Sequence, residues 1–326
     1  MSNIDPIISI YNTSIGSLNN GDQIINEAGI GILEDIFPNS FFHHFPTHHA
    51  LQRRSLKVAW KNRICFVIGT NLLRNKIRYR GRKNKIAIHF HDCLFMQPVI
   101  LFGVGWNKYA GNLDMKTKFF YKNALSKNYL HSVRDNYTKE KLKACGIKNT
   151  INTGCPSLWE LSDTHFKGIS IKKQKKALLT LTDYSKDIAT DSFILKTLLQ
   201  NYESVYLWPQ GSEDRNYFSN LIGFDSKQVT ILSSHLSSLN KVLEMDDIEH
   251  IGTRLHAGIR ALQKKRPSLI ISIDNRASEM HRDFNLPTIE RNELHLLQEK
   301  IDTERNFSMC IPFEAIAKWK KQFDEF

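Results

Sequence analysis

Short apolar runs alternate with helix-compatible stretches twice along this chain, and that alternation restricts the fold more than any other feature. In the first series, Pro6–Tyr11, Arg63–Gly69, Pro98–Val104, Asn128–Arg134 and Asn149–Gly154 read as strands. Helices are expected at Asp22–Ile36, where Ile24, Ile25, Ala28, Ile32 and Leu33 keep a helical stripe, and at Thr138–Cys145, which Gly146 stops. A polar linker around His165–Lys176 precedes the second series. There strands are expected at Ala177–Leu181, Ser204–Trp208, Val229–Leu232, Ile248–Ile251 and Ser268–Ile273, the last two finishing the sheet. Helices are expected at Ala189–Asn201, Asp214–Ile222, Leu236–Met245 and Leu255–Lys264. Runs that are continuously apolar are those of parallel strands buried on both faces. Strand–helix alternation with short connections predicts doubly wound sheets. The expected class is α/β, with two Rossmann-like parallel-sheet domains, residues 1–165 and 166–326, and a cleft between them. The tail, Phe313–Phe326, is a candidate amphipathic helix that by analogy packs back on the first domain.

Composition narrows the function classes. The chain has 326 residues, enough for two cores, and its 41% hydrophobic share argues against disorder. No apolar run approaches the twenty or so residues of a membrane helix, and the N-terminus lacks the pattern of a secretory signal. A cytoplasmic protein is the expectation. Cys65, Cys93, Cys145, Cys155 and Cys310 are scattered and form no CxxC pair, so reduced thiols are expected and a zinc site is not. The net charge is +12, and its densest block is Arg74–Lys85. That block reads either as a solvated loop or as an attractor of anionic lipid or an acidic glycan intermediate at the inner membrane face. No helix-turn-helix, RNA-binding or zinc-finger pattern accompanies it, so nucleic acid is not the expected partner.

Open parallel sheets bind ligands beyond the carboxyl ends of their strands, and every chemically suggestive stretch falls there. Asn12–Asp22 follow the first strand, Gly69-Thr70-Asn71 the second, Gly103–Trp106 the third, and Arg134 ends the fourth. Gly252-Thr253-Arg254-Leu255-His256-Ala257-Gly258-Ile259 follows a late strand and opens a helix. Such a turn offers unsatisfied N–H groups and the positive end of a helix dipole. Arg254 adds a planar fork for phosphate or carboxylate, and His256 a proton that moves near neutral pH. The same spacing also suits an ordinary turn with a surface arginine and a packed histidine. Elsewhere, His89 and His91 share one strand face, as metal ligands or sugar contacts, but lack a third ligand with metal spacing, so no metal is expected. His43, His44, His48 and His49 fall in an expected loop. Trp106 is a candidate sugar-stacking ring or a core residue. Trp208-Pro209-Gln210-Gly211 and Asn275-Arg276 are candidates for lining a pocket in the second domain.

Four segments, in order, resemble the polysaccharide pyruvyl transferase family. Ser17-Leu18-Asn19-Asn20-Gly21-Asp22-Gln23 is similar to the family's opening asparagine-glycine-aspartate loop. Ser132-Val133-Arg134-Asp135, with Thr138 and Leu142, resembles its serine-x-arginine-acid turn. Thr153-Gly154-Cys155-Pro156-Ser157 looks like its threonine-glycine-cysteine/aspartate-proline element, and Arg254-Leu255-His256, followed by small residues, like its signature triplet. The similarity runs from about Ile7 to about Asp274 and departs mainly in Lys57–His91, where little beyond Gly69-Thr70-Asn71-Leu72 matches.

The resemblance implies a GT-B-like pair of domains, the first on the acceptor side and the second on the donor side. It implies phosphoenolpyruvate as co-substrate, no tightly bound cofactor, and a glycan or lipid-linked acceptor in exopolysaccharide or cell-surface glycan synthesis. Arg134 and Arg254 would hold the donor anion with the amides of Leu255 and His256. His256 would be the acid and Asp22 the base, although Asp22 also reads as a plain helix N-cap. Asn20, Asn71, His89, His91 and Trp106 are candidate acceptor contacts. Two other classes stay open at this point: a GT-B glycosyltransferase using a nucleotide-sugar, for which Glu279 is the arguable ribose contact, and a non-catalytic binding protein on the same fold.

Overall fold

The computed structural model describes residues 6–49, 62, 64–76, 98–109 and 111–326. The chain divides into two compact units. The first comprises residues 1–17, 25–159 and 311–326, and the second residues 18–24 and 160–310. The expected division at 165/166 thus lies a few residues late. The segment 18–24 groups with the second unit, and the C-terminal tail with the first.

The first unit carries β1 (Ile7–Asn12), β2 (Phe41–Pro46), β3 (Ile64–Ile68), β4 (Ile100–Phe102), β5 (His131–Val133) and β6 (Thr150–Asn152). All of their pairings are parallel. Four strands run in the order β2-β1-β3-β4. The β5-β6 pair continues from β4 through a parallel Val104–Val133 bridge and the Gly103 N–H, which donates to Ser132 O at 3.0 Å. Every residue of β3 is buried, which is why it reads as an unbroken apolar run. The strand β2 corrects the sequence reading, which made a loop of its histidines. It is a half-exposed edge strand paired with β1 from Ile7–Phe41 to Asn12–Pro46, and an edge strand needs no apolar run.

Two helices close the face of β4 and β5. Met115–Ala124 buries Thr117, Phe120, Tyr121 and Ala124, and Asp114 caps it by accepting from Thr117 N at 2.7 Å. Asn136–Ala144 is capped the same way by Asp135, which accepts from Thr138 N at 2.7 Å. The C-terminal helix Phe313–Lys321 packs on this unit. Its Trp319 is fully buried, stacks on Phe102 with centroids 4.5 Å apart, and meets Trp159 edge-on at 5.7 Å.

The second unit is one six-stranded parallel sheet: β7 (Lys176–Thr180), β8 (Ser204–Leu207), β9 (Val229–Ile231), β10 (Ile248–Gly252), β11 (Ser268–Ser272) and β12 (Thr288–Glu290). Its order is β12-β11-β10-β7-β8-β9. From β7 the chain winds outward to β8 and β9, then returns to β10 on the other side and winds outward again. The carboxyl ends of β7 and β10 therefore flank the point where winding reverses. Strand β12 and the helix Asn275–Phe284 extend the sheet past its expected end at Ile273. The helix Leu255–Gln263 lies close on β11: a Cβ on Gly258 would come 2.4 Å from Ile270 Cγ1, so glycine is required there.

Candidate functional site

The stretch after β10 sits at the reversal point of the second sheet. Three threonines tie it to the loop after β7. Thr253 N–H donates to Thr180 O at 2.8 Å, and the hydroxyls of Thr182 and Thr253 are 2.8 Å apart. Arg254 occupies the cap position of the nine-residue helix Leu255–Gln263. Its side chain has no acceptor, so it gives the first-turn N–H groups no capping oxygen. Leu255 and His256 open this helix, with their amides at its positive end.

Arg254 is not the open grip expected from sequence. Its side chain is 3% exposed and held by carboxylates. Nε donates to Asp214 Oδ2 and to Leu181 O, each at 2.9 Å. Nη2 donates to Asp183 Oδ1 at 2.7 Å and also to Asp214 Oδ1. Asp214 is itself completely buried and accepts two backbone N–H groups, from Gly211 at 2.7 Å and Asp183 at 3.1 Å. Burial pushes its carboxyl upward while Arg254 pulls it down. Two acids thus face one guanidinium, and the cation is already offset. Only Nη1 has no acceptor among the described residues. An incoming anion would meet that nitrogen and the helix amides rather than a bare arginine.

Neighbouring loops complete the rim. Tyr184 lies under both Arg254 and Arg276, with Cζ-to-centroid distances of 5.2 and 5.9 Å. Arg276 pairs with Asp274 at 2.6 Å. Gly211 closes against Arg254: a Cβ there would lie 2.3 Å from Nη2. The loops after β7, β8, β10 and β11 thus meet at one edge of the sheet. The sequence reading missed Asp183, Tyr184 and Asp214. Their position just after strands β7 and β8 was the available signal, but nothing in one sequence pairs two acids with an arginine 40 to 71 residues away.

Comparison with known proteins bears on this geometry. The family described as polysaccharide pyruvyl transferase matches residues 19–275, which include both the reversal point and the motif arginines. The chain belongs to that family. It is therefore a member of a group of glycan-modifying transferases. A search of curated proteins finds no match. Among solved structures, an S. aureus MnaA–UDP co-structure is 11% identical with a TM-score of 0.50, covering 93% of this chain and 92% of that one. UDP-GlcNAc 2-epimerase from Neisseria meningitidis, bound to UDP-GlcNAc, is 10% identical with a TM-score of 0.46, covering 98% and 93%. The fold is α/β with parallel sheets, of the GT-B-like type.

The remaining family-motif residues settle into defined places. Asn20 donates through Nδ2 to Ser234 O at 2.5 Å, and its carbonyl receives the N–H of Gln23 at 3.1 Å as the helix Gly21–Ile36 begins. Asn19 Oδ1 accepts from Gly21 N at 3.1 Å and from Gln210 Nε2 at 2.8 Å. Asp22 is therefore not the cap. It stands inside the first turn, buried, and belongs to the second unit rather than the first.

In the first unit Arg134 is 1% exposed. Nε donates to Asp135 Oδ2 at 3.0 Å and Nη1 to Asn71 Oδ1, while Gly105 lies so close that a Cβ would fall 2.2 Å from Cζ. This guanidinium fastens three loops, so it is a buried tie where an open grip was expected. Asn71, a candidate acceptor contact, is the carboxamide it holds. Trp106 is likewise corrected. It is buried in the core, with Nε1 donating to Asn75 Oδ1 at 2.6 Å, and no face is left for a sugar. Cys155 is buried, and burial pushes its thiol up. Glu279 is buried and accepts from Arg282 at 2.7 Å. His89 and His91, and the basic block beyond Lys76, lie outside the described residues. Among the described residues no group of His, Cys, Asp or Glu could hold a metal ion, and no helix is long and apolar enough to cross a membrane.

Proposed function

We propose that this family member transfers a pyruvyl group from phosphoenolpyruvate to a sugar, forming a cyclic ketal. The observation that carries the reading is the start of the helix Leu255–Gln263 at the reversal point of the sheet, with Arg254 and His256 beside it. The donor phosphate or carboxylate would accept hydrogen bonds from the amides of Leu255 and His256 and from Arg254 Nη1. His256 would give a proton to the donor's methylene carbon, leaving an oxocarbenium-like C2. One sugar hydroxyl then adds to C2 and loses its proton. The second hydroxyl displaces phosphate, closing the ring and releasing inorganic phosphate. Asp22 remains the proposed base for those hydroxyls. A sugar or lipid-linked oligosaccharide is the proposed acceptor.

The direct test is phosphate release from phosphoenolpyruvate across a panel of glycan acceptors, run beside thermal shifts with nucleotide-sugars. Acceptor-dependent phosphate release supports the reading. Stabilisation by nucleotide-sugars with no response to phosphoenolpyruvate would transfer it to the glycosyltransferase class.

A further inference from the structure

A second surface, in the first unit, has a composition that the donor site does not use. The helix Met115–Ala124 turns Thr117, Phe120, Tyr121 and Ala124 inward. Its opposite face therefore carries Met115, Phe119 and Lys122 at helical spacing, flanked by Lys116 and Lys118. Met115 is 78% exposed and Phe119 49% exposed. Large apolar side chains standing out between lysines are unusual on a face that only needs to be wetted.

The charge around this helix is lopsided. Residues 108–148 hold nine lysines, and Arg134 among them is buried and paired. Against them stand Asp114, which caps the helix, the buried Asp135, and Glu140, which lies 3.6 Å from Lys143. The lysines also gather in space. Lys122, on the helix Met115–Ala124, reaches the turn after Asn136–Ala144: its Cε would lie 3.1 Å from a Cβ on Gly146. Lys141 Nζ donates to Gly111 O at 3.0 Å, so the neighbouring helix Asn136–Ala144 and the loop before Met115 share the same face. Tyr109, 52% exposed, stands beside them with its ring 5.0 Å from that of Tyr137.

We propose that this face docks on a bilayer bearing anionic lipid headgroups. Charge complementarity selects the occupant, because lysines flanking an apolar stripe match acyl chains beneath a negative surface. A soluble polyanion would gain nothing from Met115 and Phe119. The helix would lie in the interface, with those two side chains at the headgroup–acyl boundary and its lysines among the phosphates. The proposal stands whether or not the donor reading holds.

The test is co-sedimentation of the full chain with phosphatidylcholine vesicles, with and without phosphatidylglycerol. Wild type should bind the anionic vesicles and release them as salt rises. Each juxtamembrane lysine contributes about fivefold in partitioning, so Lys116→Gln/Lys118→Gln/Lys122→Gln should lower it on the order of a hundredfold. Met115→Ser/Phe119→Ser should weaken it severalfold at every salt concentration. All five positions lie on the outward side of the helix, and circular dichroism would verify that both variants fold. Wild type failing to bind anionic vesicles would overturn the proposal. So would a serine variant that binds as wild type while dextran sulfate competes the protein off, which would assign the face to soluble polyanions.

Discussion

Asp214 and Arg254 form a buried pair at the reversal point of the second sheet, with Arg254 Nε donating to Asp214 Oδ2 at 2.9 Å. The arginine proposed as a donor contact is thereby also the counter-charge of a fully buried acid. Its loss would leave that acid unpaired.

Arg254→Ala is therefore expected to destabilise the fold as well as weaken donor binding. Removing one member of a buried ion pair costs about 3–5 kcal/mol, because the remaining charge stays desolvated. Asp214→Asn removes the buried negative charge but keeps one acceptor oxygen, whereas the Gly211 and Asp183 N–H groups donate to different carboxylate oxygens, so it too should destabilise, by no more than Arg254→Ala. Urea unfolding of both variants gives the comparison. An unchanged midpoint for Arg254→Ala would mean that the pair does not hold the loops together.

His256→Ala should separate chemistry from binding. A positioned acid contributes about a hundredfold or more to turnover, so kcat should fall by roughly that factor while phosphoenolpyruvate affinity changes little. Steady-state kinetics and calorimetric titration measure the two. An equal fall in affinity would make His256 a binding residue only.

Arg134→Lys distinguishes a fastening residue from a ligand contact. Lysine keeps the charge but cannot reach Asp135 and Asn71 together as the guanidinium does. Stability should drop by about 1–3 kcal/mol in denaturant unfolding. A large loss of phosphoenolpyruvate affinity at unchanged stability would restore Arg134 as a donor contact.

Acid should destabilise both units. Burial pushes His250 down to about 3 and His131 down to about 4, from an ordinary value of 6.5. Between those folded values and 6.5 the unfolded chain binds the proton more tightly, so stability falls as pH drops and is fully present only above about 6.5. Melting midpoints from pH 7 to pH 5 should decline, and His250→Asn should flatten the part due to the second unit. A midpoint flat across that range would contradict the buried, neutral state of both imidazoles.

The sequence carried the inner strands well, for a physical reason. Strands such as β3 and β4 are buried on both faces and so appear as unbroken apolar runs. Elements at the margins were harder to see. Strand β2 is half-exposed, and β12 has three residues, so neither writes a periodic pattern. The helix Asn275–Phe284 did leave a signal, an Asp274 cap followed by buried Ala277, Met280 and Phe284. The motif put Arg254 and His256 at a strand-to-helix turn, and they do follow β10 at the start of a helix. The acids that hold Arg254 come from loops after two other strands, and such pairing is a tertiary property. Trp106 shows the same limit: an aromatic after a strand reads alike whether it faces solvent or core.

The most direct measurement is crystallographic: soak the protein with phosphoenolpyruvate and locate the donor. The account predicts its phosphate or carboxylate within hydrogen-bond distance of the Leu255 and His256 amides, with the methylene carbon near the His256 ring. Donor density elsewhere on the molecule, or none at saturating concentration, would contradict it.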